Sequence, residues 1–119
     1  IVVLGGVGFK YVEPSGNSLD VDLNEGKSRC DAIVTTGEGT GIETKIEKLI
    51  NYKTFLKEFP LIVGAGLNTK NIYEQLKICD GGIIGSSLKF DGQTKNRMDH
   101  ARTKEIIDEV KRLRNSYIN

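Results

Sequence analysis

Two runs of small residues carry the first chemical suggestion. Leu61 to Val63 leads into Gly64-Ala65-Gly66, and the apolar run that begins at Gly82 leads into Gly85-Ser86-Ser87. Residues this small leave backbone N–H groups approachable, and the two hydroxyls add donors, a set suited to holding a phosphate. If both runs end parallel strands, the helices that follow turn their positive N-termini toward the same edge. Gly64, Gly66, Gly85, Ser86 and Ser87 are therefore candidate phosphate ligands, and Lys89 just beyond can neutralise the bound charge. The plain alternative is that the glycines only let each strand turn into its helix. Asn68 and Thr69 read as caps for the next helix rather than as ligands.

Lys10, Glu38 and Thr40 form the second set. Lys10 closes an apolar run and can serve as an electrophile or as an ion-pair partner for an anionic substrate. Glu38 and Thr40 lie in Gly37 to Gly41, which holds three glycines in five residues and can approach a ligand or act as a lid. Lys10 and Glu38 are the catalytic candidates, and Thr40 joins the ligand set. Against them stand a Lys10–Glu13 ion pair and a tight turn bearing a solvated glutamate. The single histidine, His100, falls in the first turn of the last expected helix. Cys30 and Cys79 stand alone, so neither a zinc site nor a disulfide framework is indicated, and no metal or cofactor is implied.

These residues need elements to position them. Ile1 to Phe9 has the length and β-branched content of a buried parallel strand, as do Asp31 to Thr36, Leu61 to Val63 and Gly82 to Leu88. Between them the spacing predicts a weak helix from about Leu19 to Ser28, capped by Ser18. A strong amphipathic helix from Glu43 to Phe59 is stopped by Pro60, with Ile46, Leu49, Ile50, Phe55, Leu56 and Phe59 on its inner face. A third helix runs from Asn68 or Thr69 through Ile78, with Ile72, Tyr73 and Leu76 facing inward. Asp99 caps the last, whose core face is Ile106, Ile107, Val110, Leu113 and Tyr117. Lys89 to Asp99 reads as a solvated loop.

The pattern is βα four times over, about 30 residues per unit, which demands parallel strands with right-handed crossovers. The fold class is α/β: a parallel (βα)4 half of a (β/α)8 barrel, strands five to eight, since the full fold takes about 250 residues. Half a barrel leaves two strand edges and one sheet face uncovered. A missing N-terminal half, a second copy closing the ring, or an open sheet with helices on both faces would each answer that. The chain opens on an apolar strand with Ile rather than Met, and it reads as a fragment.

Composition narrows the class. The 119 residues, 38% of them apolar, make one soluble domain. A net charge of +1 with both signs interspersed lacks the basic footprint of a nucleic-acid binder. No run approaches the ~20 apolar residues that cross a bilayer, and no signal peptide is visible. Unpaired cysteines fit a reducing compartment, so a cytoplasmic location is expected.

The runs DAIVTTGEGTG (Asp31 to Gly41), LIVGAGLNTKNI (Leu61 to Ile72) and DGGIIGSSLKFDG (Asp80 to Gly92) resemble, in order and spacing, the C-terminal half of the BtpA family. The SgcQ-like proteins are part of that family, which the resemblance implies to be TIM barrels. Its Lys-His pair after the fifth strand appears here as Lys10-Tyr11. Its Asn-Pro-x-Asp before the last helix appears as Asn96-Arg97-Met98-Asp99. The resemblance implies two kinds of function. One is an enzyme without an agreed substrate, to which the small-residue runs above add a phosphorylated or anionic small molecule at the strand ends. The other is a non-catalytic biogenesis or assembly factor of the photosystem I kind, peripheral to a membrane. For the second, the basic run Lys111, Arg112 and Arg114 is the candidate surface.

Overall fold

The structure is a computed structural model and describes residues 1–117. Four strands, β1 (Leu4–Gly6), β2 (Ala32–Thr35), β3 (Leu61–Val63) and β4 (Gly81–Gly82), form one sheet in the order β1-β2-β3-β4. Every neighbouring pair is parallel, with Leu4 opposite Ala32, Ile33 opposite Leu61 and Ile62 opposite Gly81. The helices α1 (Leu19–Arg29), α2 (Ile46–Leu56), α3 (Ile72–Leu76) and α4 (His100–Ser116) each follow a strand.

All four helices pack on one side. Ile33, Leu61 and Val63 of the sheet join Leu23, Leu49, Leu56, Ile72 and Ile106 of the helices in a single buried cluster. Side chains alternate along a strand, so Ala32, Val34 and Ile62 face the other way, and register puts Leu4 with them. On that second face Leu4 and, beyond the end of β4, Ile83 are each 48% exposed. Helices on one face only, over a parallel sheet in sequential order, is half of a (β/α)8 barrel and not a doubly wound open sheet.

Two aspartates fasten the strand starts in the same way. Asp31 accepts from the Val3 N–H at 2.7 Å while its own N–H donates to the Val3 carbonyl oxygen at 2.8 Å. Asp80 accepts from the Leu61 N–H at 2.9 Å and donates back to the Leu61 carbonyl oxygen at 2.8 Å; Lys53 also bonds its carboxylate at 2.6 Å. Each aspartate immediately precedes a strand and clips the start of the one before it, because a short carboxylate can satisfy a backbone N–H there.

Several elements are shorter than their sequence pattern. The first strand is only Leu4–Gly6, because the chain leaves the sheet in a turn at Phe9–Val12 after Gly8, whose φ is 61°. The fourth is Gly81–Gly82; Ser86–Leu88 instead wind into a 3-10 turn. Helix α2 starts at Ile46 and not Glu43, since the Ile42-Glu43 backbone lies against Gly66, where a Cβ would come within 2.4 Å. Ile50 on it is exposed, and Tyr52 takes the buried place. Helix α3 begins at Ile72 because Asn68 closes a turn first, its side chain accepting from the N–H groups of Lys70 and Asn71.

Ser18 precedes α1 but makes no side-chain capping bond, and its carbonyl oxygen accepts from Asp22 instead. Asp99 does cap α4, accepting from the N–H groups of Ala101 and Arg102. Ile107 of α4 and Tyr117 just after it are exposed, while Ile106 and Leu113 carry the packing. Lys89 to Asp99 is not an unstructured loop: it makes a second 3-10 turn at Phe90–Gly92 and an antiparallel bridge from Lys89 to Met98.

Candidate functional site

The loops that leave the C-terminal ends of the four strands meet along one rim. Lys10, after β1, donates its backbone N–H to Thr36 Oγ1 at 2.7 Å, and its Nζ reaches Thr40 Oγ1 at 3.2 Å. A Cβ on Gly41 would stand 3.6 Å from Ser86 Oγ, so the loop after β2 touches the loop after β4. Ser86 Oγ bonds Thr94 Oγ1 at 2.8 Å, and Ser87 Oγ donates to the Leu67 carbonyl oxygen at 2.6 Å, joining the loops after β3 and β4. Lys10 and Thr40 thus meet through their side chains, and Ser86 lies beside the next residue of the Thr40 loop, Gly41.

The glycines of that rim divide into two kinds. Gly64 donates its N–H to the Thr35 carbonyl oxygen, and a Cβ there would meet Thr36 and Val34 at 2.8 and 2.9 Å. Gly66, at φ 76°, has the Ile42-Glu43 backbone seated on it. The fold alone therefore needs both. Gly85 differs, because a Cβ added to it would meet nothing within 4 Å. Glu38 is exposed and makes no hydrogen bond or ion pair among the described residues. The Lys89 backbone N–H donates to the Ser86 carbonyl oxygen.

Lys10 pairs with no carboxylate among the described residues, Glu13 included. Lys10 and Glu38 line an open cleft of about 1290 Å³ that also includes Tyr11, Glu13, Lys48 and Tyr52. Ser87 lines a smaller one of about 590 Å³ with Asn68, Thr69, Asp99 and Arg102. The first exceeds the usual small-molecule pocket and is an open groove rather than an enclosed cavity.

Two residues that sequence reasoning did not select organise this end of the sheet. Lys48 Nζ donates to the carbonyl oxygens of Thr36 at 2.6 Å and Gly8 at 2.8 Å, and lies 5.7 Å from the centre of the Tyr52 ring. Burial lowers its pKa. Nothing distinguishes Lys48 in the sequence from the other lysines of an amphipathic helix. Tyr11 accepts from the Thr40 N–H at 3.0 Å, and its hydroxyl lies 3.5 Å from Thr40 Oγ1. Its contacts with the Thr40 hydroxyl and N–H hold its phenol below the ordinary tyrosine value, with a smaller contribution from the Lys10 charge. Its place directly after Lys10 was the available signal.

The basic run near the end of α4 is partly engaged: Arg112 pairs with Glu109 at 2.6 Å and lies 5.8 Å from the Tyr73 ring centre. No helix among the described residues is long and apolar enough to cross a membrane.

Comparison with known proteins decides the lineage. The model of the BtpA family matches residues 5–112. The chain belongs to the BtpA family. Among its BtpA-like relatives, an uncharacterized protein of Thermococcus kodakarensis is 32% identical over 119 residues, covering 99% of this chain and 45% of the relative. An uncharacterized protein of Methanocaldococcus jannaschii is 39% identical over 84 residues, 71% of this chain and 32% of the relative. The sgc region protein SgcQ of Escherichia coli is 29% identical over 84 residues, 71% of this chain and 31% of the relative. The chain spans less than half the length of these curated relatives. No solved structure matches it.

Proposed function

We propose that this BtpA-family protein binds a phosphorylated or otherwise anionic small molecule at the C-terminal rim of its sheet. The observation that carries the reading is the Lys10 ammonium: it has no carboxylate partner among the described residues and lies 3.2 Å from the Thr40 hydroxyl at the strand ends. An unpaired cation beside hydroxyl donors favours an anion, and barrels of this kind place their ligands at that end. Thr40 and Ser86 supply hydroxyls, and the open approach at Gly85 leaves room for ligand next to the backbone. Glu38, exposed on the groove that Lys10 also lines, is the group available for proton transfer if the bound molecule reacts.

In this reading the uncovered sheet face is completed by four further βα units, supplied by more of the polypeptide or by a second copy. The relatives, more than twice as long, support that arrangement. Titration of the ¹⁵N-labelled protein with inorganic phosphate tests the anion site. The amides of Lys10, Thr40, Gly85 and Ser86 are expected to shift at millimolar phosphate. A spectrum unchanged there would overturn the reading.

A further inference from the structure

Tyr11 occupies an unusual place for its type. The Val12 N–H donates to the Phe9 carbonyl oxygen at 3.3 Å, closing a reverse turn in which Lys10 and Tyr11 are the central residues. Tyr11 has φ 61°, a conformation that the third residue of such a turn normally takes as glycine or asparagine. A bulky side chain there costs on the order of 1 kcal/mol of backbone strain, and such strain persists where the surroundings hold it. Here the surroundings hold the far end of the side chain. The residue is 78% exposed, yet its hydroxyl is bonded by the Thr40 N–H. A Cβ on Gly39 would stand 3.1 Å from that hydroxyl, so this glycine leaves the phenol its seat.

The hydrogen-bond inventory then leaves protons unspent. One Lys10 N–H goes to Thr40 Oγ1, leaving two. Thr40 Oγ1 accepts that bond and keeps its own proton. The Tyr11 oxygen accepts from Thr40, and its proton has only Thr40 Oγ1 at 3.5 Å, the outer limit of a hydrogen bond. Four protons on three neighbouring groups therefore lack a good acceptor within the trio. An oxyanion supplies the acceptors these protons lack, and the three terminal oxygens of a phosphate monoester carry more lone pairs and more charge than the two of a carboxylate.

We propose that Tyr11 is a ligand-contacting residue of this site, and that its phenol, with the Lys10 ammonium and the Thr40 hydroxyl, grips the terminal oxygens of a phosphate monoester. This rests on the anion-binding reading above and adds to it the residue and the ligand class. Glu13 on the same loop and Glu38 on the facing one are the nearby carboxylates that such a ligand must avoid.

The test uses inorganic phosphate and protein labelled with ¹³C at the tyrosine Cζ, a nucleus that reports phenol ionisation; the signal missing from Tyr11→Phe identifies Tyr11. An anion against the phenol disfavours phenolate, so saturating phosphate is expected to move the Tyr11 titration to higher pH. Tyr11→Phe should weaken phosphate binding about tenfold, the loss of one hydrogen bond to a charged group. A Tyr11 titration unchanged by phosphate that does shift the Thr40 and Ser86 amides would overturn the inference and leave the anion site standing. No amide shift at all would remove both. The titration is done on the unmodified protein, where a through-space contact between the Tyr11 ring and the Thr40 amide also assigns the signal, so it decides the matter even if the variant is unstable.

Discussion

The ammonium of Lys48 lies 2.6 Å from the carbonyl oxygen of Thr36, and it bonds the Gly8 carbonyl oxygen from the same nitrogen. One side chain from the first turns of α2 therefore ties the ends of β1 and β2, the two strands whose loops carry Lys10 and Thr40. Replacement by Met keeps the aliphatic stem and removes both donors. Lys48→Met is expected to destabilise by about 1–3 kcal/mol, the cost of leaving partly buried carbonyls unpaired, read as a lower urea midpoint. Unchanged stability would mean that water replaces the ammonium at no cost.

The two kinds of rim glycine give opposite expectations. Gly66→Ala combines a positive φ with a 2.4 Å approach to the Glu43 backbone, and should cost more than about 2 kcal/mol. Gly85→Ala meets open space at a negative φ and should stay within about 1 kcal/mol. Thermal melts of the pair check this. If Gly85→Ala nevertheless weakens phosphate binding, the loss belongs to the ligand and not to the fold.

Lys10→Ala should separate binding from stability. The side chain makes one hydrogen bond of 3.2 Å and no ion pair among the described residues, so the melting temperature should barely move. Phosphate affinity should fall at least about tenfold, because hydrogen bonds to a charged group are among the stronger ones. Equal affinity in calorimetry would remove Lys10 from the site.

Cys79 sets an alkaline limit. The thiol is buried beside Asp80, and burial first, then that carboxylate, pushes its pKa up to about 12. The unfolded chain ionises near the ordinary value of 9.0 while the folded protein still holds the proton. The stability this thiol contributes is therefore full below about pH 9 and is lost as pH climbs toward 12. Urea denaturation compared at neutral and alkaline pH should show a steeper loss in the parent protein than in Cys79→Ala. Parallel losses would show that other groups govern the alkaline limb.

The architecture was legible because the parallel strands write themselves as short apolar runs, and the amphipathic helices α2, α3 and α4 write theirs at helical spacing. The element ends were less so. Gly82 to Leu88 has the composition of a strand, but only Gly81–Gly82 pair, and Ser86 to Leu88 turn away into a 3-10 bend. Lys10 and Thr40 were recognisable from their loop positions, and the structure brings their side chains together. Tyr11 was not, because a positive φ is invisible in a residue type that seldom adopts it. Gly64 and Gly66 look the same in sequence as Gly85, and only the neighbours packed against them tell the cases apart.

The loop after β2 begins as a glycine-rich segment able to swing, yet its far half is anchored. Gln75, fully buried on α3, donates to the Thr44 carbonyl oxygen at 3.0 Å and to Glu43 Oε1 at 3.2 Å, while Gly66 seats the backbone beneath. Only the tip around Glu38 to Gly41 is left to adjust, and the Tyr11 hydroxyl already holds that by the Thr40 N–H. The entropy of ordering this segment is thus lost during folding and not at ligand capture, so preorganisation lets the binding free energy appear as affinity and does not divert it to freezing the chain.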